Sequence, residues 1–325
     1  MKRFIYGPVP SRRLGRSLGI DLIPHKTCPY DCIYCHLGRT TTKTMQRQEY
    51  VPFSEVVNEL DRNLDILDSS DYITIAGSGE PTLYSRLGDL ITSIKEKTHT
   101  PIAVITNGSL LWDKKVQASI KKADIVIPSL DAGDAVLFQH INRPLPDIAF
   151  EHMIRGLVEF REVFQNKLWL EVLLVSGSTA IISEVKKIAG IIQKIRPDKV
   201  QINTVVRPPS EKFAYAVSPV HLEQLASLLG DNAEIIAEFH RTDSEHPLTG
   251  AREDILTMLR RRPCTLNDIV SGLGINGNVA VKDIDYLIKL NLVSVKTVHN
   301  NTFFVAHHEL NDKGSGACAN HERSQ

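Results

Sequence analysis

The stretch SLGIDLIPHKTCPYDCIYC, residues 17–35, joins a predicted strand to a loop that holds three cysteines. These are Cys28, Cys32 and Cys35, and the whole chain of 325 residues has only five cysteines. A structural zinc site is normally closed by four protein ligands, and disulfides use cysteines in pairs. Three clustered thiols instead suit an iron–sulfur cubane in which one iron has no protein ligand, although a partial zinc site is the alternative for the cysteines alone.

Short apolar runs rich in β-branched residues alternate with amphipathic stretches along most of the chain. In stretches such as LGDLITSIKEK and ISEVKKIAGIIQKI, apolar residues recur at spacings of three and four, which predicts helices. The predicted strands are residues 17–23, 72–77, 102–107, 124–130, 168–175 and 200–206. This alternation predicts an α/β fold with a parallel sheet and helices outside it, either open or closed into a partial barrel.

Small or polar residues follow several of these strands directly. GSGEP (residues 77–81), Asn107 and Asp131 follow three of them, and the three-cysteine loop follows the first. Because ligands bind at the carboxyl ends of parallel strands, we expect these features to form one site. The glycines let a ligand approach the backbone, and the Glu80 carboxylate can hold an ammonium group. A small zwitterion, such as an amino acid, is therefore predicted to chelate the open iron.

The two motifs together resemble a known family. CPYDCIYC resembles the CxxxCxΦC loop of the radical S-adenosylmethionine (SAM) superfamily, and GSGEP is similar to its GGEP motif, with Ser78 in place of one glycine. The resemblance implies a partial (β/α)6 barrel of the TIM type. It also implies a [4Fe–4S] cluster on Cys28, Cys32 and Cys35, with SAM on the fourth iron. The implied activity is reductive cleavage of SAM to a 5′-deoxyadenosyl radical that abstracts hydrogen from a substrate.

The same resemblance implies which residues bind SAM. By position these are Tyr34 against adenine; Gly77, Ser78, Gly79 and Glu80 around the methionyl ammonium; and Thr106, Asn107, Ser129 and Asp131 toward the ribose or carboxylate. The substrate and the catalytic residues that act on it are not identified by this pattern.

A finer resemblance is to the branch that contains the tRNA wyosine-base synthases. The pieces that carry it are GPVPSRRLGRSLGIDL, GSGEPTLY, ITNGSL, PSLDAG, HINRP and QINTVVRPPSE. Those synthases have a further cysteine set that binds a second cluster, whereas Cys264 and Cys318 stand alone here. RNA base modification is therefore kept as an alternative to an unidentified substrate.

The charge distribution bears on the substrate. Residues 1–50 contain nine Lys or Arg and three acids, although the formal net charge of the chain is zero. A local positive excess favours an anionic substrate, RNA among the candidates, and a solvated basic surface is the alternative. Arg143 and Arg207 either meet such a substrate or cap the rim of the barrel.

The pattern changes after about residue 247. AREDILTMLRRRP, TLNDIVSGLG and NVAVKDIDYLIKLNLV predict three helices, and SVKTVHNNTFFVA predicts a hairpin with Asn300 and Asn301 at its turn. This order resembles a winged helix. Its third helix balances Lys282 and Lys289 against two aspartates, so we expect no specific binding to duplex DNA. The expected divisions are residues 1–230 for the barrel, 231–246 for a linker, 247–308 for the winged-helix-like domain and 309–325 for a disordered tail.

Cysteine usage and hydropathy indicate the setting. No apolar run approaches the roughly 20 residues that span a bilayer, and the start MKRFIYGPVPSRR has no apolar segment typical of a secretory signal. An odd number of cysteines, three of them clustered, favours a reducing compartment, so we expect a cytoplasmic protein. The expected electron donor is a flavodoxin or ferredoxin. The rival class is a redox-sensing DNA-binding regulator, which has no need of the GSGEP edge.

Overall fold

A computed structural model describes residues 3–237, 251–298 and 301–307. Its first ten strands are β1 (Ile5–Ser11), β2 (Gly15–Ile20), β3 (Thr27–Cys28), β4 (Thr42–Lys43), β5 (Tyr72–Ile75), β6 (Ile102–Thr106), β7 (Ile125–Pro128), β8 (Lys167–Leu174), β9 (Lys199–Thr204) and β10 (Ala233–Ile235). Eight of them form one sheet in the order β1-β2-β5-β6-β7-β8-β9-β10. Neighbours in that sheet are also neighbours along the chain, as short connections favour.

Helices connect these strands. They are α1 (Phe53–Asp61), α2 (Leu64–Asp68), α3 (Leu87–Lys97), α4 (Lys114–Ile120), α5 (Ala135–Ile141), α6 (Phe150–Val163), α7 (Ile182–Ile195) and α8 (Pro219–Ala226), with a single 3₁₀ turn at Pro81–Leu83. Their apolar faces and the inner strand residues form one large buried core. In the ranges that the structure describes, no helix has both the length and the apolar character needed to cross a membrane.

The sheet is parallel from β2 to β10, and only β1 runs antiparallel to its neighbour. Within the described residues β1 and β10 are each paired on one side, so the sheet has two edges and is not closed. The predicted α/β class is confirmed, and the six predicted strands are present with ends shifted by a few residues.

Two strands lie outside that prediction. β1 pairs with β2 although it contains two prolines, which an edge strand tolerates because half of its N–H groups face no partner. β10 pairs in parallel with β9, so the sheet extends into the segment 231–246 that the sequence analysis predicted to be a linker. Residues 238–246 of that segment, residues 299–300 at the predicted turn and the tail 309–325 lie outside the described residues.

The C-terminal unit contains three helices followed by two strands. These are α9 (Ala251–Arg261), α10 (Leu266–Leu273), α11 (Gly277–Lys289), β11 (Val293–Val298) and β12 (Asn301–Ala306). Thr265 and Asp268 close a capping box at the start of α10. The unit has its own apolar core, and Val9 of β1 is part of it. A Cβ built on Gly272 would lie 3.0 Å from Cδ of Pro10, so α10 packs closely against β1.

Candidate active site

One cavity of about 390 Å³ lies at the carboxyl ends of the parallel strands, between the sheet and the C-terminal unit. All of the residues predicted to hold the cluster or SAM line it: Cys28, Cys32, Tyr34, Cys35, Gly77, Ser78, Gly79, Glu80, Thr106, Asn107, Ser129 and Asp131. They come from the three-cysteine loop and from the ends of β5, β6 and β7. The structure therefore brings together groups that are spread over about a hundred residues of sequence.

The three-cysteine loop is tied by its backbone to the GSGEP segment. Thr27 and Gly79 form a parallel β-bridge, and the N–H of Glu80 donates to the carbonyl of Thr27 at 3.1 Å. The N–H of Lys26 donates to the carbonyl of Ser78 at 2.6 Å. A Cβ on Gly79 would lie 2.3 Å from that Thr27 oxygen, so only glycine lets the two segments approach this closely.

The other side of the loop is held by the segment HINRP. The N–H of Ile33 donates to the carbonyl of Ile141 at 2.9 Å, and the N–H of Leu145 donates to the carbonyl of Pro29 at 3.0 Å. The Ser210 hydroxyl donates to the carbonyls of Cys32 and Ile33. Hydrogen bonds from the segments around GSGEP and HINRP thus hold the loop on both sides.

Each of two thiols receives a side-chain amide donor. Nδ2 of Asn107 lies 3.3 Å from Sγ of Cys28, and Nδ2 of Asn142 lies 3.5 Å from Sγ of Cys32. Burial raises the pKa of all three thiols above the usual range. Thiolates here therefore need a cationic centre beside them, and N–H donors to sulfur are the contacts that iron–sulfur clusters use.

This donor set fits a cluster with one open iron. The thiols all border the same cavity and are free of disulfides, as is Cys264, the remaining cysteine in the described part of the chain. Cys264 lies in the core of the C-terminal unit and does not line the cavity. No three His, Cys, Asp or Glu side chains of the described residues are arranged to hold a single metal ion.

Glu80, which the sequence analysis predicts to hold an ammonium group, already accepts several hydrogen bonds from the protein. It is buried, and Oε1 accepts hydrogen bonds from the Thr82 N–H at 3.0 Å and from the hydroxyls of Thr82 and Thr106 at 2.6 Å. Oε2 accepts from the N–H of Asn107 at 2.8 Å. Burial raises the pKa of Glu80, and these donors oppose the increase. Glu80 therefore positions the ends of β5 and β6, with only Oε2 left to accept a further donor.

Ser78 replaces a glycine of the family motif, and Asp21 accommodates it. The Ser78 hydroxyl donates to Oδ2 of Asp21 at 2.6 Å, and its N–H donates to Oδ1 at 3.1 Å. A Cβ on Gly77 would lie 2.3 Å from Cγ of the same aspartate. The Asp21 carboxylate thus holds GSGEP close to the end of β2. Position 77 must be glycine because a side chain there would clash with this carboxylate.

Tyr34, Asp131 and Asn142 form a buried hydrogen-bonded cluster next to Cys32. The Tyr34 hydroxyl and Nδ2 of Asn142 both donate to Oδ2 of Asp131, and Oδ1 accepts from the N–H of Leu173 at 3.0 Å. Burial raises the pKa of Asp131 to about 6, and these donors limit the increase. Ser129 also lines the cavity, and its N–H donates to the carbonyl of Thr106 at 3.1 Å.

Sequence reasoning missed several of these residues. Asn142 was quoted within HINRP without a role, and nothing near it in sequence signals that it meets Cys32. Arg143 pairs with Glu211 at 2.6 Å and so stabilises the rim. Arg207 instead lines the cavity, together with Arg12 and Arg13 of the basic N-terminal stretch. Arg261 and Arg262 line it as well, and no sequence motif predicted their presence there.

Comparison with known proteins assigns the family. The model of the radical SAM superfamily matches residues 22–188, which is more than half of the chain. In structure, the chain resembles SuiB of Streptococcus suis bound to S-adenosylmethionine, with a TM-score of 0.51 and 17% identity over 68% of this chain and 50% of that one. At that identity the likeness concerns the fold.

Two curated relatives differ in how much of them the chain covers. A UPF0026 protein of Helicobacter pylori is 32% identical over 93% of this chain and 97% of its own length. A protein of Brachyspira hyodysenteriae named GTPase Obg is 41% identical over 82% of this chain, but the chain spans only 39% of its length. The UPF0026 relative is covered almost completely, and because the family model matches more than half of the chain, the chain belongs to the radical SAM superfamily.

Proposed function

We propose that this protein is an enzyme that holds a [4Fe–4S] cluster on Cys28, Cys32 and Cys35 and binds SAM beside it to act on an anionic substrate. Enzymes of the superfamily use this cluster together with SAM, which supplies a 5′-deoxyadenosyl radical when the cluster is reduced. The supporting observation is that the three thiols and the GSGEP edge line one cavity while each is fixed by backbone hydrogen bonds. Preorganised ligands of this kind need no rearrangement to bind a cofactor.

The residues of the chain have distinct tasks in this proposal. The edge at Gly77, Ser78 and Gly79 receives the methionyl part of SAM, and Oε2 of Glu80 accepts from its ammonium group. Ser129 and Thr106 lie at the ends of the next strands, where the ribose or carboxylate is expected. Tyr34 is held by Asp131 and so presents a fixed aromatic face to adenine. The covered cavity excludes water from a reactive radical.

The C-terminal unit is proposed to be a winged-helix-like domain that covers the cavity, with the barrel at residues 1–230 and the domain at 247–308. Met258 of α9 and Arg262, the residue directly after that helix, line the cavity. The electron donor is proposed to be a flavodoxin or ferredoxin in a reducing, cytoplasmic setting, where the four described free thiols persist.

RNA is a second candidate substrate, because the resemblance to the wyosine branch is joined by a cavity wall rich in arginine. A redox-sensing regulator is less well supported. On α11, Lys289 pairs with Asp285 at 2.6 Å, and Asp283 receives Arg252 at 2.8 Å, so little free positive charge remains for DNA phosphates.

The test is anaerobic reconstitution followed by reduction with dithionite in the presence of SAM. We expect about four irons and four sulfides per chain and slow release of 5′-deoxyadenosine without substrate. Changing Cys28, Cys32 or Cys35 to Ala should abolish both, while Cys318→Ala, a thiol outside the described residues, should retain them. An intact, reduced cluster that neither binds nor cleaves SAM would contradict the proposal and favour the sensor.

A further inference from the structure

Five arginines line the cavity, and two of them are neutralised by carboxylates. Arg13 makes two hydrogen bonds of 2.9 Å to the carboxylate of Glu171. Arg261 lies 3.7 Å from Asp21 and stacks on the ring of Tyr6. These two cations therefore have a structural role, which leaves the other three to be explained.

Arg12, Arg207 and Arg262 have only neutral hydrogen-bond partners among the described residues. Arg12 donates to Oδ1 of Asn203 at 3.1 Å and to the carbonyl of Ala237 at 3.2 Å. Nε of Arg207 donates to the carbonyl of Pro263 at 3.2 Å. Nη2 of Arg262 is buried and has no hydrogen-bond partner. None of the three is in an ion pair with an acid of the described chain.

The nearby acids are already engaged. Glu171 is held by Arg13 and Asn203, and Asp268 accepts the Thr265 N–H at 2.8 Å in the capping box of α10. Burial, and after it the fields of the neighbouring arginines, lowers the pKa of Arg12 to about 9 and that of Arg207 to about 10. Three cations held together at low dielectric repel one another, and a bound anion would relieve that cost.

We propose that Arg12, Arg207 and Arg262 bind the phosphate group of a small phosphorylated substrate, with the C-terminal unit supplying one of the three. This inference rests on the proposed function, since it assigns the substrate class of the same cavity. Guanidinium groups donate in forks that match phosphate oxygens, and a dianion balances three cations better than a single carboxylate does. SAM carries a net positive charge, so a cluster of three arginines does not favour its binding.

The position of the three arginines favours a small molecule. They line the same cavity as the cysteines, and they come from the turn between β1 and β2, from the segment after β9 and from the residue directly after α9. Residues from both ends of the chain therefore meet over the opening. An RNA strand would need an open basic groove with exposed aromatic side chains, which this cavity wall does not offer.

The first experiment measures binding of inorganic phosphate to the full-length protein by calorimetry, with and without the reconstituted cluster. We expect saturable binding that weakens as sodium chloride increases. Arg262→Gln and Arg207→Gln should each weaken it at least about tenfold, the effect of losing a charge-assisted contact. Arg260→Gln, two residues from Arg262 and on the exposed side of α9, is the matched control and should leave binding unchanged.

The second readout separates this inference from the proposed function. Release of 5′-deoxyadenosine without substrate is measured on the same wild-type preparation as phosphate binding, and Arg260→Gln, which lies outside the cavity, should retain both activities and a melting temperature near that of the wild type. Cluster formation and SAM cleavage without any phosphate binding would overturn the inference alone. Failure to form the cluster would overturn the function, while phosphate binding by cluster-free protein would still support the anion site. Loss of binding to a single-stranded RNA, but not to phosphate, in the arginine variants would assign an RNA substrate instead.

Should Arg207→Gln or Arg12→Gln fail to fold, Arg262→Lys keeps the proposal testable. Lysine retains the positive charge and loses the forked geometry. We expect phosphate binding several-fold weaker than in the wild type and stronger than in Arg262→Gln. Equal affinity in all three proteins would show that Arg262 does not touch the anion.

Discussion

The N–H of Glu80 donates to the carbonyl of Thr27, the residue directly before the first cysteine, at 3.1 Å. One hydrogen bond thus connects the two motifs that characterise the family. The cluster ligands and the edge proposed to bind SAM cannot move apart without breaking it. Because of this hydrogen bond, a substitution that moves the backbone of one motif should also move the backbone of the other.

Gly79→Ala should disrupt this connection. The new Cβ would lie 2.3 Å from the Thr27 oxygen, so the backbone of one segment must shift, at a cost of about 1–3 kcal/mol. We expect weaker SAM binding and a smaller iron content after reconstitution, measured by equilibrium dialysis and iron analysis.

The matched control for that change is Gly190→Ala. Gly190 is exposed on α7, and a Cβ there would have no neighbour within 4 Å. Alanine favours helix over glycine, so thermal stability should increase slightly, by about 0.5–1 kcal/mol, with SAM binding unaltered. Equal SAM binding by the two alanine variants would mean that the close approach at Gly79 is unimportant.

Asn107→Ala should make the cluster harder to reduce. Its amide donates to Sγ of Cys28 at 3.3 Å, and such a bond stabilises the more negative, reduced state. A hydrogen bond of about 0.5–1.5 kcal/mol corresponds to a shift of about 20–60 mV to more negative potential. A redox titration followed by EPR without SAM measures it, and Asn166→Ala, whose amide bonds Ala123 away from the cavity, should show no shift. A shift to more positive potential would contradict this role.

Glu171 should make stability depend on pH. Burial alone would raise the pKa of Glu171, but the charge and hydrogen bonds of Arg13 lower it to about 2. Because the folded-state pKa lies below the unfolded value, the carboxylate stabilises the protein above about pH 4.5, and this contribution is lost as pH falls toward 2. The difference in unfolding free energy between the wild type and Glu171→Gln should therefore narrow, by up to about 3 kcal/mol across that window.

Urea unfolding at a series of pH values from 6 to about 3 measures that difference. Glu159→Gln is the control, because its partner Lys114 is exposed and surface pairs contribute little. The Glu159 variant should follow the wild type throughout. If the difference in unfolding free energy between the wild type and Glu171→Gln stays constant with pH, the ion pair with Arg13 does not stabilise this wall of the cavity.

The full-length protein should not bind duplex DNA specifically. On α11, Lys289 pairs with Asp285, and Arg252 of α9 pairs with Asp283 and lies 4.0 Å from the centre of the Tyr286 ring. Lys282 is therefore the one cation of this helix without an ion pair among the described residues. Fluorescence anisotropy with duplexes of varied sequence at physiological salt should show weak binding without preference. A submicromolar Kd with a steep salt dependence for one duplex would support the regulator instead.

Much of the barrel could be predicted because its strands are buried on both faces. The runs that become β6 and β7 are almost wholly apolar, and most of their residues are buried. β1 was not predicted because Pro8 and Pro10 disfavour a strand. A strand tolerates these prolines here because β1 lies at an edge of the sheet. α8, with Ser218 as N-cap, was missed although its capping signal is visible in the sequence.

The candidate site was predictable where the groups follow strands and unpredictable where they depend on tertiary contacts. The cysteines and GSGEP follow strand ends, so topology alone brings them together. Asn142 reaches Cys32 because the segment after α5 crosses the loop, and Arg262 reaches the cavity because a second unit packs on β1. Neither contact can be recognised from the periodicity of the sequence, because each depends on packing between segments that are far apart along the chain.

The sharing of β1 between two cores has a consequence for how the chain is made. Val9 packs with residues of the C-terminal unit, and Arg3 bonds Asp254, 251 positions later. A ribosome must therefore synthesise most of the protein before the first strand can complete its packing, and contacts of such long range form slowly. Until then Val9 lacks the apolar neighbours that bury it in the folded protein. Only a chain that has been translated through α9 can enclose the cavity, so truncated products remain open over the cysteine loop.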